Sequence, residues 1–163
     1  LWHERECYAS GDSIGRWRAA NYAWAYNKHL IGDYSAGTVW QMSPTTYAEG
    51  SNALVRIACS PPLQADRARA FMSSVQLDMD CGTTPHGTGQ GSEPQMALSW
   101  SDDGGRTWSS ERWASLGRIG EYLTRVIWRR CGHFRQRVLK VQVSDPVPVV
   151  IITAYADVEA GES

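Results

Sequence analysis

The side chains best placed to do chemistry are four carboxylates in two close pairs, Asp78 with Asp80 and Asp102 with Asp103. Such carboxylates can be imagined as acid–base pairs. Residues two apart on a strand share a face, and neighbours crowded in a turn cap its backbone, so both pairs read as solvated or capping groups. His3, His29, His86 and His133 stand in separate contexts, without the i, i+2 or i, i+4 spacing of paired metal ligands. Cys7, Cys59, Cys81 and Cys131 are widely spaced and include no C-x-x-C pair, which argues against a zinc ribbon or a thioredoxin-type site and for core thiols. The sequence therefore calls for no catalytic residue, no metal and no cofactor, and the chain is expected not to be an enzyme.

Two other clusters suit structure or contact. Ser101-Asp102-Asp103-Gly104-Gly105-Arg106-Thr107-Trp108 fits the pattern S-x-D-x-G-x-T-W, the Asp-box. Here Ser101, Asp103, Gly105, Thr107 and Trp108 have structural roles. Asp103 can accept hydrogen bonds from the turn backbone, Gly105 can take a positive φ, and Trp108 can fold back as an apolar plug. The second cluster is Arg125, Arg129, Arg130, Arg135 and Arg137, with Lys140 nearby and Trp128 and Phe134 interleaved. It is read as an interface or a DNA-facing basic surface, with interface anchoring or a solvated face favoured over a DNA path.

The elements that must position these groups are strands. No long stretch keeps a 3.6-residue apolar period, whereas alternation, β-branched residues and turn signals recur. Trp17–Asn27 predicts a strand carrying a stripe of Tyr22, Trp24 and Tyr26. A turn over Leu30–Gly37 then leads to a strand over Thr38–Met42, ended at Ser43-Pro44. Ala53–Cys59 predicts another strand, stopped by Pro61 and Pro62, and Leu63–Arg69 reads as irregular or a single helical turn. Phe71, Ser73, Val75, Leu77 and Met79 form one strand face opposite Met72, Ser74, Gln76, Asp78 and Asp80. Cys81–Glu93 reads as a long flexible loop. Further strands are expected over 95–100, 108–113, 124–130, 137–144 and 149–156. Roughly eight or nine strands at about 8–12-residue spacing predict an all-β fold, an antiparallel β-sandwich or propeller-like domain with an Asp-box hairpin. An aromatic-rich β-hairpin region over 1–60 and an antiparallel β domain over 61–163 are expected within it.

Composition agrees with a contact protein. Sixteen basic against seventeen acidic residues leave a net charge of −1, too little to gather nucleic acid by a global field. Eight tryptophans and seven tyrosines against two phenylalanines favour surfaces where one ring edge stays polar. No apolar run is long enough to span a bilayer, and no membrane partner is expected. The start at Leu1, with neither an initiator Met nor a signal-peptide pattern, suggests a soluble piece of a longer protein.

The stretches RWRAANYAWAYNKHLIGDYSAGTVWQMS, VQLDMDCG and MALSWSDDGGRTWSSERWASLGRIGEYLTRVIWRRCGHFRQRVLKVQVSDP, in that order, resemble the C-terminal part of packaged-DNA stabilisation proteins of short-tailed, P22-like bacteriophages. These are tail hub or nozzle proteins. The resemblance implies a structural virion protein of the phage tail, assembled in the host cytoplasm. It implies a homo-oligomer, a hexameric ring, that closes the portal–adaptor channel and retains packaged DNA with weak non-specific contact. Its partners would be the portal and adaptor, the tail needle and the tailspike. The alternative is a carbohydrate-binding or sialidase-like β domain, suggested by the Asp-box and by Trp24, Trp40, Trp100 and Trp113 as sugar platforms.

Overall fold

The computed structural model describes residues 4–8, 14–64, 68–80, 91–118, 120–122 and 124–161. Among them every helix or strand element is a strand, and the chain divides into two units, Leu1–Leu54 and Val55–Ser163.

The first unit contains three small antiparallel sheets. β1 (Glu6–Tyr8) pairs with β2 (Ile14–Arg16). β3 (Ala19–Ala25), β4 (Lys28–Asp33) and β5 (Val39–Met42) form a three-stranded meander. β6 (Ala48–Glu49) pairs with β7 (Asn52–Ala53). The β3–β4 turn falls at Tyr26 and Asn27, with φ of 52° and 58°. Positive φ at both central residues gives the twist that a two-residue hairpin needs. This removes Tyr26 from the expected stripe, because a turn residue does not continue strand alternation. It also moves the first reversal ahead of Leu30–Gly37, whose first residues belong to β4. A bulge at Ala20 is accommodated by Gly32, whose N–H donates to Asn21 Oδ1 at 3.0 Å. A Cβ on Gly32 would collide with that oxygen.

The second unit contains β8 (Arg56–Cys59), β9 (Leu63–Gln64), β10 (Ala70–Asp80), β11 (Gln95–Ser101), β12 (Arg112–Ser115), β13 (Val126–Arg129), β14 (His133–Phe134), β15 (Gln136–Val143) and β16 (Val150–Ala160). One sheet has β10 at its centre, β16 on one side and β13 and β14 in succession on the other. The other sheet runs β12, β11, β15, with β8 and β9 sharing the far side of β15. Met72, Val75, Leu77, Met79, Val126, Trp128 and Phe134 of the first sheet meet Met96, Leu98 and Val143 of the second in one core, which makes the pair a β-sandwich. Each such large apolar side chain contributes about 1.5–3 kcal/mol on burial. The unit boundary falls before β8, earlier than the expected 60/61 division, because β8 pairs with β15.

Alternation along β10 breaks where the sequence shows no sign of it. Ser73 has no partner in the β16 register, which passes from Met72↔Val158 to Ser74↔Asp157. One extra residue moves the rest of the strand to the opposite face. Phe71 is consequently exposed while Ala70 and Met72 are buried, and the expected face holds only from Val75 onward. Facing this bulge, the chain jogs from β13 to β14 through Arg130 and Gly132, both at positive φ. Arg130 N donates to Ser73 O, Cys131 N to Met72 O and Met72 N to Gly132 O.

Two expected spans are also corrected. Of 108–113 only Arg112 and Trp113 are in a strand, because Ser109 turns back to Trp100, exchanging bonds with its backbone N–H and C=O. Leu63 and Gln64 form β9. Of the expected loop Cys81–Glu93, residues 81–90 lie outside the described residues; of the segment Leu63–Arg69, residues 65–67 do.

Candidate functional site

The most heavily bonded side chains of the second unit gather where β11 runs into its turn. Asp103 Oδ1 accepts from Ser101 Oγ at 2.7 Å, Arg106 N at 2.9 Å and Thr107 N at 3.0 Å. Its Oδ2 accepts from Thr107 Oγ1 at 2.6 Å. Ser101 Oγ in turn accepts from Gly105 N at 2.8 Å, and Gly104 and Gly105 take φ of 78° and 95°. The hydroxyl of Ser101, then the hydroxyl and amide of Thr107, hold the Asp103 carboxyl well below the usual carboxylate range. A carboxylate so saturated is an acceptor fixing a turn, with no lone pair positioned to take a substrate proton. Trp108 is half-buried, with Lys140 Nζ 4.2 Å from its ring centre.

Beside this turn Arg137 is buried, which corrects its assignment to an exposed basic surface. Its Nε and Nη2 donate to Asp102 Oδ1 and Oδ2 at 2.7 and 2.8 Å. Nη1 donates to Cys131 O, and Nη2 also to His133 O. The guanidinium lies 5.0 Å from the Trp100 ring centre and 4.7 Å from that of Phe134. A forked, paired and ring-flanked guanidinium locks β15 to the turn after β11 and to the β13–β14 jog. Of the two adjacent aspartates, Asp103 builds the turn and Asp102 neutralises Arg137. The sequence reading missed this division. The signal was available in the doubled Asp at a motif that uses only one.

Arg125, Arg129, Arg130 and Arg135 are exposed, and among the described residues none of the four makes an ion pair. Arg129 ends β13 and Arg135 follows β14, so these cations collect along the β13–β14 margin of the β10 sheet. Asp78 accepts from Gln76 Nε2 at 2.8 Å, and Asp80 is exposed at the end of β10.

In the first unit Tyr22 Oη and His29 Nδ1 are hydrogen-bonded at 2.9 Å, and Trp24 meets the His29 ring edge-on at 4.5 Å between centres. Of the four tryptophans weighed as sugar platforms, Trp24 and Trp113 are exposed, whereas Trp40 is half-buried and bonded to Asp33 through Nε1. Trp100 is half-buried between Arg112 and Arg137. Cys7, Cys59 and Cys131 are free thiols, and burial pushes Cys7 and Cys131 up from the ordinary thiol value. Cys81, His3 and His86 lie outside the described residues. Among the described residues no three His, Cys, Asp or Glu side chains gather to hold a metal ion, and no helix is long and apolar enough to cross a membrane.

An antiparallel sandwich whose most elaborate polar sites fasten its own turns has the character of a structural protein. The particular family emerges from comparison: the model of the family Bacteriophage P22 Gp10, beta-sandwich matches residues 56–159, and the chain belongs to that family. The matched span begins at β8 and ends within β16, so it coincides with the second unit. Membership makes the chain part of a phage structural tail protein, a virion component. Comparison with curated proteins gives no match.

Proposed function

We propose that this chain serves in the tail nozzle of a short-tailed phage, as one copy in a ring that closes the portal–adaptor channel and retains packaged DNA. The observation that carries this reading is the family match over the whole sandwich. The bonding supports a mechanical role, since Arg137 and Asp103 tie strands and turns together. Portal and adaptor, tail needle and tailspike are the partners of this reading. Balanced charge suits a channel wall that holds DNA only weakly. The test is electron microscopy of the parent protein mixed with its adaptor ring. Density for this sandwich in a ring beneath the portal is expected; a parent protein that never joins the adaptor would refute the reading.

A further inference from the structure

The two margins of the β10 sheet are opposite in character. Among the described residues β16 pairs with β10 alone, so its other edge has no partner strand among them. Its residues Val150–Ala160 include no Lys, Arg or Pro, the side chains that ordinarily blunt an exposed edge. Ile151, Ala154, Ala156 and Val158 stand opposite the buried Met79, Leu77, Val75 and Met72 of β10, yet are themselves exposed. The apolar face that forms the core therefore continues onto β16 and is left uncovered. Ile152 and Tyr155 add exposures of 70% and 56%. The only charges on this strand are Asp157 and Glu159, near its end. The other margin, β13–β14, is apolar at Val126 and Ile127 and basic from Arg129 through Arg130 to Arg135.

These margins match level by level. Ser74 of β10 faces Asp157 on one side and Arg129 on the other. Phe71 likewise stands between Glu159 and His133, with Arg135 two residues on, and Leu77 between Ala154 and Val126. β13 and β16 both run antiparallel to β10 and so point the same way. A second copy displaced along the sheet, without sliding along the strands, brings its arginines level with the acids and its apolar rungs level with Ile151 and Ala154. We propose that β16 of one copy docks along the β13–β14 margin of the next copy, with Asp157 facing Arg129 and Glu159 facing the His133–Arg135 end. The contact is head-to-tail, so repetition closes a ring where the rotation allows. It names the neighbour within the ring proposed above and rests on that reading.

The test uses the chain alone, by sedimentation equilibrium across a concentration series. The unchanged chain is expected to self-associate, and Asp157→Arg or Arg129→Asp each to weaken association about tenfold by putting like charges together. Combining both in one chain restores it to within about threefold. Asp157 also accepts from Ser73 Oγ, so Glu159→Arg repeats the test should the first variant disturb the strand. A chain that stays monomeric overturns the proposal, as does association that Arg129→Asp leaves intact, which would mark a β16–β16 contact. A double variant as weak as either single one does so too. Charge-dependent association in a protein never incorporated into tails would sink only the nozzle reading. A monomeric chain whose parent is incorporated would sink only this one.

Discussion

The two units are built on different principles. In the second, apolar side chains from both sheets meet in a continuous core. In the first, Cys7 is the one buried apolar side chain among the described residues, while Tyr22, Trp24, Tyr26, Tyr34 and Val39 are exposed. What shapes the first unit is local bonding: the Asp33 carboxylate accepting from Ser35 and Trp40, Asn21 reaching Gly32, and Tyr22 meeting His29. Local hydrogen bonds define conformation, but each contributes only about 0.5–1.5 kcal/mol net, whereas a shared core makes unfolding cooperative. The second unit should therefore behave as one cooperative block and the first as a set of separately opening hairpins.

The sharpest way to break that contrast is to cut into each region's aromatic residues. Trp128 is buried and donates through Nε1 to Arg112 O at 2.7 Å, tying the two sheets at their β12–β13 side. Trp128→Ala is expected to lower unfolding free energy by about 3–5 kcal/mol through lost contact and a residual cavity. Trp24→Ala, at an exposed position, should cost under about 1 kcal/mol. Urea denaturation of both variants decides; equal losses would mean that the first unit has a core of its own.

A smaller effect separates charge from packing within the second unit. Asp102→Ala leaves the buried Arg137 with carbonyl partners only, and is expected to cost about 2–3 kcal/mol, reduced because Asp102 itself is half-exposed. Replacing both, Asp102→Leu with Arg137→Met, should recover stability to within about 1 kcal/mol of the unaltered protein. If the double variant is as unstable as the single one, the guanidinium's bonds to Cys131 O and His133 O carry the stability instead.

Amide exchange tests the contrast without substitution. Amides of β10, β11 and β15 should exchange through global unfolding, and those of β3, β4 and β5 at least about a hundredfold faster through local opening. Uniform protection across both units would contradict the distinction.

Legibility in the sequence divides along the same line. Alternation over Val75–Met79 was readable, because a strand with one buried face writes its period into the chain, and the strands expected at Gln95–Trp100 and Arg137–Ser144 lie within a residue of β11 and β15. The β3–β4 turn was not, since Tyr-Asn carries little of the usual glycine signal for positive φ. Nor was the bulge at Ser73, which depends on the jog through Arg130–Gly132 far along the chain. Arg137 shows the same limit at the site. Its place in a run of arginines suggested a surface charge, and only the long-range meeting with Asp102, Trp100 and Phe134 makes it internal. Local turn chemistry around Asp103 could be read from residue types; tertiary partners could not.

Acid provides the gentlest probe, because in each unit a carboxylate among the described residues is held down by its turn. Amide and hydroxyl donation from Ser35, then the Trp40 indole, lower Asp33 to about 2, and Asp103 is lowered further by Ser101 and Thr107. A folded-state value below the unfolded one, about 3.9 for Asp, gives stability that is complete above that value and lost as pH falls through the folded one. For Asp33 the loss falls between about pH 4 and 2, and for Asp103 it extends lower. The Trp40 indole N–H, bonded to Asp33 Oδ2 at 3.1 Å, reports the first event by NMR and the Thr107 amide the second. Asp33→Asn should remove the Trp40 transition and leave Thr107 unchanged; Asp103→Asn should do the reverse. Because the first unit has little core to hold its turn once the carboxylate is protonated, its transition should spread through β4 and β5. That of Asp103 should stay confined to its turn until the sandwich itself unfolds.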